Sequence, residues 1–183
     1  ATQNIILAAT LADGTTTIHN AAQEPEIIDL CNCLKKMGAK ISGEGTEQIA
    51  ITGVKSLMGA THTVMMDRIE LGTFILAPAV AGGEILLENV KLNKIGSFVK
   101  KIEEMGVKVA EDSGSVRVSK ESQKLNKICV TTSPFPGFPT DLQPQIMAAM
   151  GLANGQSLIV EEIFENRFMH APELNRMGAN ISI

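Results

Sequence analysis

Tryptophan and tyrosine are absent from the 183 residues, and six phenylalanines are the whole aromatic complement. Without aromatic faces there is no platform on which bases could stack, and a net charge of −4 with a pI of about 5.4 argues against a groove lined for nucleic acid. Long apolar runs are lacking too. The best, Phe74-Ile-Leu-Ala-Pro-Ala-Val-Ala81, is interrupted by Pro78 and falls short of the roughly 20 residues a membrane span needs. No signal peptide is read at the start, and no membrane or nucleic-acid partner is expected. Phosphate loops of the G-x-x-x-x-G-K-[ST] or G-x-G-x-x-G kind are missing, so the glycines are read as turns. Cysteine is scarce. Cys31 and Cys33 lie two apart on an expected helix, on nearly opposite sides, which suits neither a disulfide nor a shared metal. Three reduced thiols in a cytoplasmic protein are expected, with Cys31 on the core face and no metal or other cofactor.

What is present is repetition. Ala12-Asp-Gly-Thr-Thr-Thr-Ile-His-Asn20 is answered by Ala81-Gly-Gly-Glu-Ile-Leu-Leu-Glu-Asn89 and by Ala153-Asn-Gly-Gln-Ser-Leu-Ile-Val-Glu161. From Gly14 to Met37, Gly83 to Met105 and Gly155 to Met177 is 23, 22 and 22 positions, and a glycine follows each methionine. A unit used repeatedly seldom buries its apolar face alone, so copies must pack on each other. With so few aromatics, Ile, Leu, Val, Ala and nine Met must fill the core.

Each copy opens with a helix that stops at a glycine turn. Asp67 with Glu70, and Thr140 with Gln143, have the spacing of a capping box. Half-buried strands are expected over Thr15 to His19, Glu84 to Val90 and Gln156 to Ile163. A second helix follows. Ile27, Leu30, Cys31, Leu34 and Met37 trace one apolar stripe, and Ile95, Phe98, Val99, Ile102 and Met105 another. Two short strands joined by a hairpin close the unit, at Ala39–Ser42 with Gln48–Thr52 and at Val107–Ala110 with Ser115–Ser119. Leading strands are expected at 62–66 and 127–132. The third copy is truncated at its C-terminus, Ile183 reads as lying inside a strand, and both ends look cut. The expected fold is α+β (mixed α/β), an alpha-beta prism of pseudo-threefold βαβαββ units with helices on one face of each sheet.

Positions common to the copies are explained by folding, so functional residues should lie where one copy departs. The third departs twice. Ser133-Pro-Phe-Pro-Gly-Phe-Pro-Thr-Asp-Leu-Gln143 is a stiff loop that delivers Asp141 to a first helical turn, either as a cap or as a pre-positioned general base. Phe164-Glu-Asn-Arg-Phe-Met-His170 replaces a plain connector, and its Arg167 could grip a carboxylate or phosphate in bidentate fashion.

These two stretches, with Asn20-Ala-Ala-Gln-Glu-Pro-Glu-Ile-Ile-Asp-Leu30 and Asp67-Arg-Ile-Glu-Leu-Gly-Thr73, closely resemble the UDP-N-acetylglucosamine enolpyruvyl transferases of bacterial cell-wall synthesis. The sister family of the shikimate pathway shares the repeats but not these strings. The resemblance implies transfer of enolpyruvate from phosphoenolpyruvate to the 3-hydroxyl of UDP-N-acetylglucosamine, with release of phosphate. It implies Asp141 as the acid/base residue near that hydroxyl, Arg167 and Glu165 in the enolpyruvate pocket, a main-chain contact from Ile163 to the nucleotide sugar, and Arg68 at an interlobe crossing. It implies that residues 1–65 are the last unit of one lobe and 67–183 the first two units of the other. The Lys-Asn pair, the mobile loop with its acid and the last arginines of that family have no counterpart here, so the chain alone is expected to be inactive. The alternatives are a non-catalytic three-unit repeat domain or a shikimate-pathway enolpyruvyl transferase relative. Stripes left open by missing units are expected to drive self-association, as a dimer or around one shared core.

Overall fold

The computed structural model describes residues 1–121 and 124–183. The chain divides into two compact units, Ala1–Met65 and Met66–Ile183. In the first, α1 (Thr2–Ala9) leads to β1 (Thr15–His19), α2 (Pro25–Lys36), β2 (Lys40–Ser42) and β3 (Gln48–Thr52). The strands form an antiparallel sheet in the order β1-β3-β2, with Ile18 opposite Ile49 and Ile41 opposite Ile51. The inward isoleucines meet Ile6 of α1 and the stripe Ile27, Cys31, Leu34 of α2 in one core. Gly53 closes the sheet: its N–H donates to the Gly14 carbonyl at 2.9 Å, and a Cβ there would fall 1.6 Å from the Ala12 oxygen.

The second unit holds two copies. The first comprises α3 (Arg68–Ala81), β4 (Glu84–Glu88), α4 (Gly96–Glu104), β5 (Val107–Asp112) and β6 (Ser115–Lys120), with sheet order β4-β6-β5. The other, the third copy of the chain, comprises β7 (Leu125–Asn126), β8 (Cys129–Thr131), a 3-10 turn (Thr140–Leu142), α5 (Gln143–Met150), β9 (Ala153–Asn154), β10 (Leu158–Val160) and α6 (Ala171–Arg176). Here β10 pairs with β8 and β9 with β7, both parallel. One core joins both copies, running through Leu71, Ile75, Phe98, Ile102, Val116, Leu142 and Ile146. Gly72 allows the close approach of α3 to the 3-10 turn, since a Cβ there would lie 2.4 Å from Leu142 Cδ1. The result is an α+β fold of repeated units.

Asp67 caps α3, its Oδ1 accepting the N–H groups of Ile69 (2.7 Å) and Glu70 (3.1 Å). The expected cap at Thr140 does not form, because Pro139 precedes the 3-10 turn and the Thr140 hydroxyl donates to Glu161 instead. Two expected strands are also missing. Residues 62–66 pair with no strand. The segment entering them is drawn to α2, where His62 Nε2 lies 3.1 Å from Asp29 and Lys36 reaches the Thr61 carbonyl. Residues 179–183 form no strand: in the complete copies the first closing strand pairs only with the second, and among the described residues no strand pairs with 179–183. The Asn175 amide serves both main-chain groups of Ile181 there, at 2.8 Å each.

The apolar stripes are not left open, contrary to expectation. Ile27, Leu34, Phe98 and Ile102 are buried and Met37 partly buried within their own units, each stripe against its own sheet, so these faces require no second copy. The exposed apolar residues are others, among them Ile5, Leu7, Leu11, Phe74 and Val80.

Two tests arise from these cores. Phe98 is fully buried and its ring lies 5.7 Å from that of Phe138. Phe98→Ala is expected to destabilise the second unit by about 3–5 kcal/mol, and Phe98→Leu by less, because it leaves a smaller cavity. Urea unfolding followed in that unit measures both, and a cost for Phe98→Ala under about 1 kcal/mol would show that the site collapses freely. Burial, then the nearby Glu44 charge, push the Cys31 thiol up to about 11 against the smaller opposing effect of Lys35. Under native conditions Cys129, which is exposed, should take up a thiol reagent well before Cys31. Labelling of Cys31 first would contradict the burial of α2.

Candidate functional site

The loop from Ser133 to Pro139 is pinned throughout. Ser133 N–H donates to the Phe138 carbonyl (3.0 Å) and Gly137 N–H to the Pro134 carbonyl (2.8 Å). From α4, Ser97 Oγ donates to the Gly137 carbonyl at 2.8 Å, while Phe138 is buried against Phe98. The buried Arg68 holds its guanidinium 5.8 Å from the centre of the Phe135 ring. A loop fixed at so many points can hold the turn that follows it in one place.

That turn presents Asp141, whose side chain is 56% exposed. Arg167 arrives from the second departure of this copy, and its Nη2 donates to Asp141 Oδ1 at 2.7 Å. The guanidinium also lies 5.1 Å from the Phe164 ring centre. Asn166 takes a left-handed conformation (φ 57°) just before Arg167, which asparagine tolerates better than most residues. The Arg167 carbonyl accepts from the fully buried Gln143 at 3.4 Å. His170, beside this loop, is held below the ordinary histidine pKa by burial and then by the Arg167 charge.

The structure therefore brings Asp141 and Arg167 into contact and leaves Glu165 exposed two residues from Arg167. Ile163 is half-buried and its N–H is committed to Glu161 at 3.0 Å, which leaves its carbonyl as the main-chain group able to meet a ligand. Arg68 belongs to the same unit and is buried with its guanidinium over the Phe135 ring of the Pro-rich loop.

Sequence reasoning missed Glu161. Its Oε1 accepts from Thr132 Oγ1 (2.8 Å), Ile163 N (3.0 Å) and Phe164 N (3.2 Å), and its Oε2 from Thr140 Oγ1 (2.9 Å). Burial opposes ionisation of this carboxyl. Hydrogen bonds from Thr132, Ile163 N, Thr140 and Phe164 N outweigh it and hold the pKa below the usual glutamate value. A signal did exist in the repeat. Asn20 and Asn89 hold the equivalent position in the other copies, and both are left-handed (φ 54° and 59°).

The family model for EPSP synthase (3-phosphoshikimate 1-carboxyvinyltransferase) matches residues 1–183. The UDP-N-acetylglucosamine 1-carboxyvinyltransferase of Ruegeria pomeroyi is 56% identical over the whole chain, which covers 44% of that relative. An enzyme of the same name from Caldanaerobacter subterraneus is 55% identical, again over the whole chain and 44% of the relative. The chain thus spans less than half the length of the curated relatives it matches. Among solved structures, the enolpyruvyl transferase NikO from Streptomyces tendae superposes on 97% of this chain and 42% of its own, with a TM-score of 0.84 and 25% identity. An EPSP synthase from Acinetobacter baumannii covers 95% of this chain and 41% of its own at a TM-score of 0.62 and 23% identity, a likeness of fold.

Proposed function

The chain belongs to the EPSP synthase family, and we propose that it forms part of a UDP-N-acetylglucosamine enolpyruvyl transferase acting in cytoplasmic peptidoglycan synthesis, and so in cell shape and division. The observation that carries this reading is the Arg167–Asp141 pair on the exposed face of the third copy. It sets one carboxylate and one guanidinium side by side, held by a pinned loop. Residues 1–65 would be the last unit of one lobe, and 67–183 the first two units of the other.

The reaction is an addition followed by an elimination. The sugar 3-oxygen attacks C2 of phosphoenolpyruvate while C3 gains a proton. Loss of a proton from C3 and departure of phosphate then restore the double bond. Asp141 takes the proton of the 3-hydroxyl, a task for a carboxylate within hydrogen-bond reach. Arg167 has five N–H donors and gives one to Asp141, so others can meet the carboxylate or phosphate of the enolpyruvyl donor. Glu165 lines that pocket, the Ile163 carbonyl meets the nucleotide sugar, and Arg68 steadies the crossing between lobes.

The test uses the full-length protein that contains this chain. Phosphate release from phosphoenolpyruvate is expected with UDP-N-acetylglucosamine as acceptor and not with 3-phosphoshikimate. The reverse preference would move the chain to the shikimate-type branch. Release with neither acceptor would favour the non-catalytic repeat domain.

A further inference from the structure

We infer that Glu161 is a positioning residue for the Asp141–Arg167 pair, a carboxylate that ties the turn carrying Asp141 to the loop carrying Arg167. The inference rests on the proposed function for its kinetic readout only; its geometric basis is independent of the reaction.

The four donors come from three separate segments. Thr132 follows the end of β8, Thr140 precedes Asp141 in the 3-10 turn, and Ile163 and Phe164 begin the loop that leads to Arg167. Thr132 is fully buried, and its hydroxyl also accepts the Glu162 N–H at 3.0 Å, which fixes the main chain on both sides of Ile163. Each oxygen of Glu161 serves a different wall of the site: Oε1 holds β8 and the 163–164 loop, Oε2 the Asp141 turn. No neutral side chain of similar length accepts at both ends.

The repeat supplies a second argument. Where Glu161 stands, copies one and two carry asparagines in left-handed turns, which leave the strand for an ordinary connector. Only the third copy carries Asp141 and Arg167, and only the third carries glutamate at this position. Folding the unit does not require the carboxylate, because two copies fold without it. The lowered pKa agrees with a fully ionised acceptor at neutral pH.

The test is made in the full-length enzyme with Glu161→Ala, Glu161→Gln and Thr140→Val. A misplacement of about 1 Å can cost ~10²-fold in rate, so Glu161→Ala should lower kcat by about that factor with KM for both substrates changed only a few-fold. Glu161→Gln should recover part of the loss, because its carbonyl can keep the three Oε1 donors while its amide donates to the Thr140 oxygen. Thr140→Val removes the single tie to the Asp141 turn and should lower kcat without lowering the melting temperature much. Hydrogen exchange at the Ile163 and Phe164 amides gives a readout free of activity: both should speed up in Glu161→Ala. Unchanged exchange would overturn the inference. So would a kcat per folded molecule equal to wild type in Glu161→Ala and Thr140→Val, or a Gln variant no better than Ala. A wild-type enzyme that releases no phosphate would instead count against the proposed reaction, and the exchange data would still decide the role of Glu161.

Discussion

Asp141→Asn in the full-length enzyme is expected to lower kcat by ~10²–10⁴-fold, the usual contribution of a general base, while leaving stability nearly unchanged. The split follows from the geometry. Asp141 is more than half exposed, and its hydrogen bond is to Arg167, itself 30% exposed. Ion pairs so open to solvent contribute about 0–1 kcal/mol. Nor does Asp141 cap a helix: neither the 3-10 turn nor α5 has a side-chain cap, the flanking residues being Pro139 and Leu142. Asparagine keeps an oxygen for Arg167 and the shape of the side chain, and it loses the ability to take a proton. Initial rates corrected for folded protein, alongside thermal melts, measure both quantities. A stable variant with wild-type kcat would remove Asp141 from the chemistry. A variant that unfolds while its folded fraction reacts normally would make it a structural residue.

The helices and hairpins were legible because each is a local pattern, written two or three times. The stripe Ile27, Cys31, Leu34 became the core of the first unit, and Phe98, Ile102, Met105 part of the core of the second. The Glu111-Asp-Ser-Gly114 turn joins β5 to β6 through Ser113 and Gly114, both at positive φ, as a two-residue hairpin requires. Strands without a local mate were not legible. Residues 62–66 and 179–183 have strand-like composition, but a strand exists only where another edge accepts it, and among the described residues none does. The same holds for burial. The stripes alone do not say what covers them, and each unit's own sheet does so. In the site, Asp141 and Arg167 stood out because whole stretches around them break the repeat. Glu161 did not, because it ends a segment that otherwise matches its siblings, and its role depends on donors 29 and 21 residues away in Thr132 and Thr140.

Purified as these 183 residues alone, the chain is expected to release no detectable phosphate from phosphoenolpyruvate and UDP-N-acetylglucosamine. Addition requires an acid for C3 as well as a base for the hydroxyl, and the enolpyruvyl donor brings both a carboxylate and a phosphate. On the proposed reading Asp141 would supply the base, and Arg167 a cation it already shares with Asp141. Arg68 is buried against Phe135, and on the same reading Glu165 would add negative charge to a pocket that must receive anions. The resemblance places the acid on a loop that none of these residues matches. A missing acid alone costs ~10²–10⁴-fold and a missing electrostatic contact alone ~10²–10³-fold. Groups that act as a unit are not additive, so these losses do not multiply, but loss of any one member already removes most of what the unit contributes. The control is the full-length protein under the same conditions, with both samples checked for folding by circular dichroism. Clear turnover by the folded 183-residue chain would mean that acid, base and anion site all lie within it, and the role assigned to the absent loop would have to be given to a residue already described.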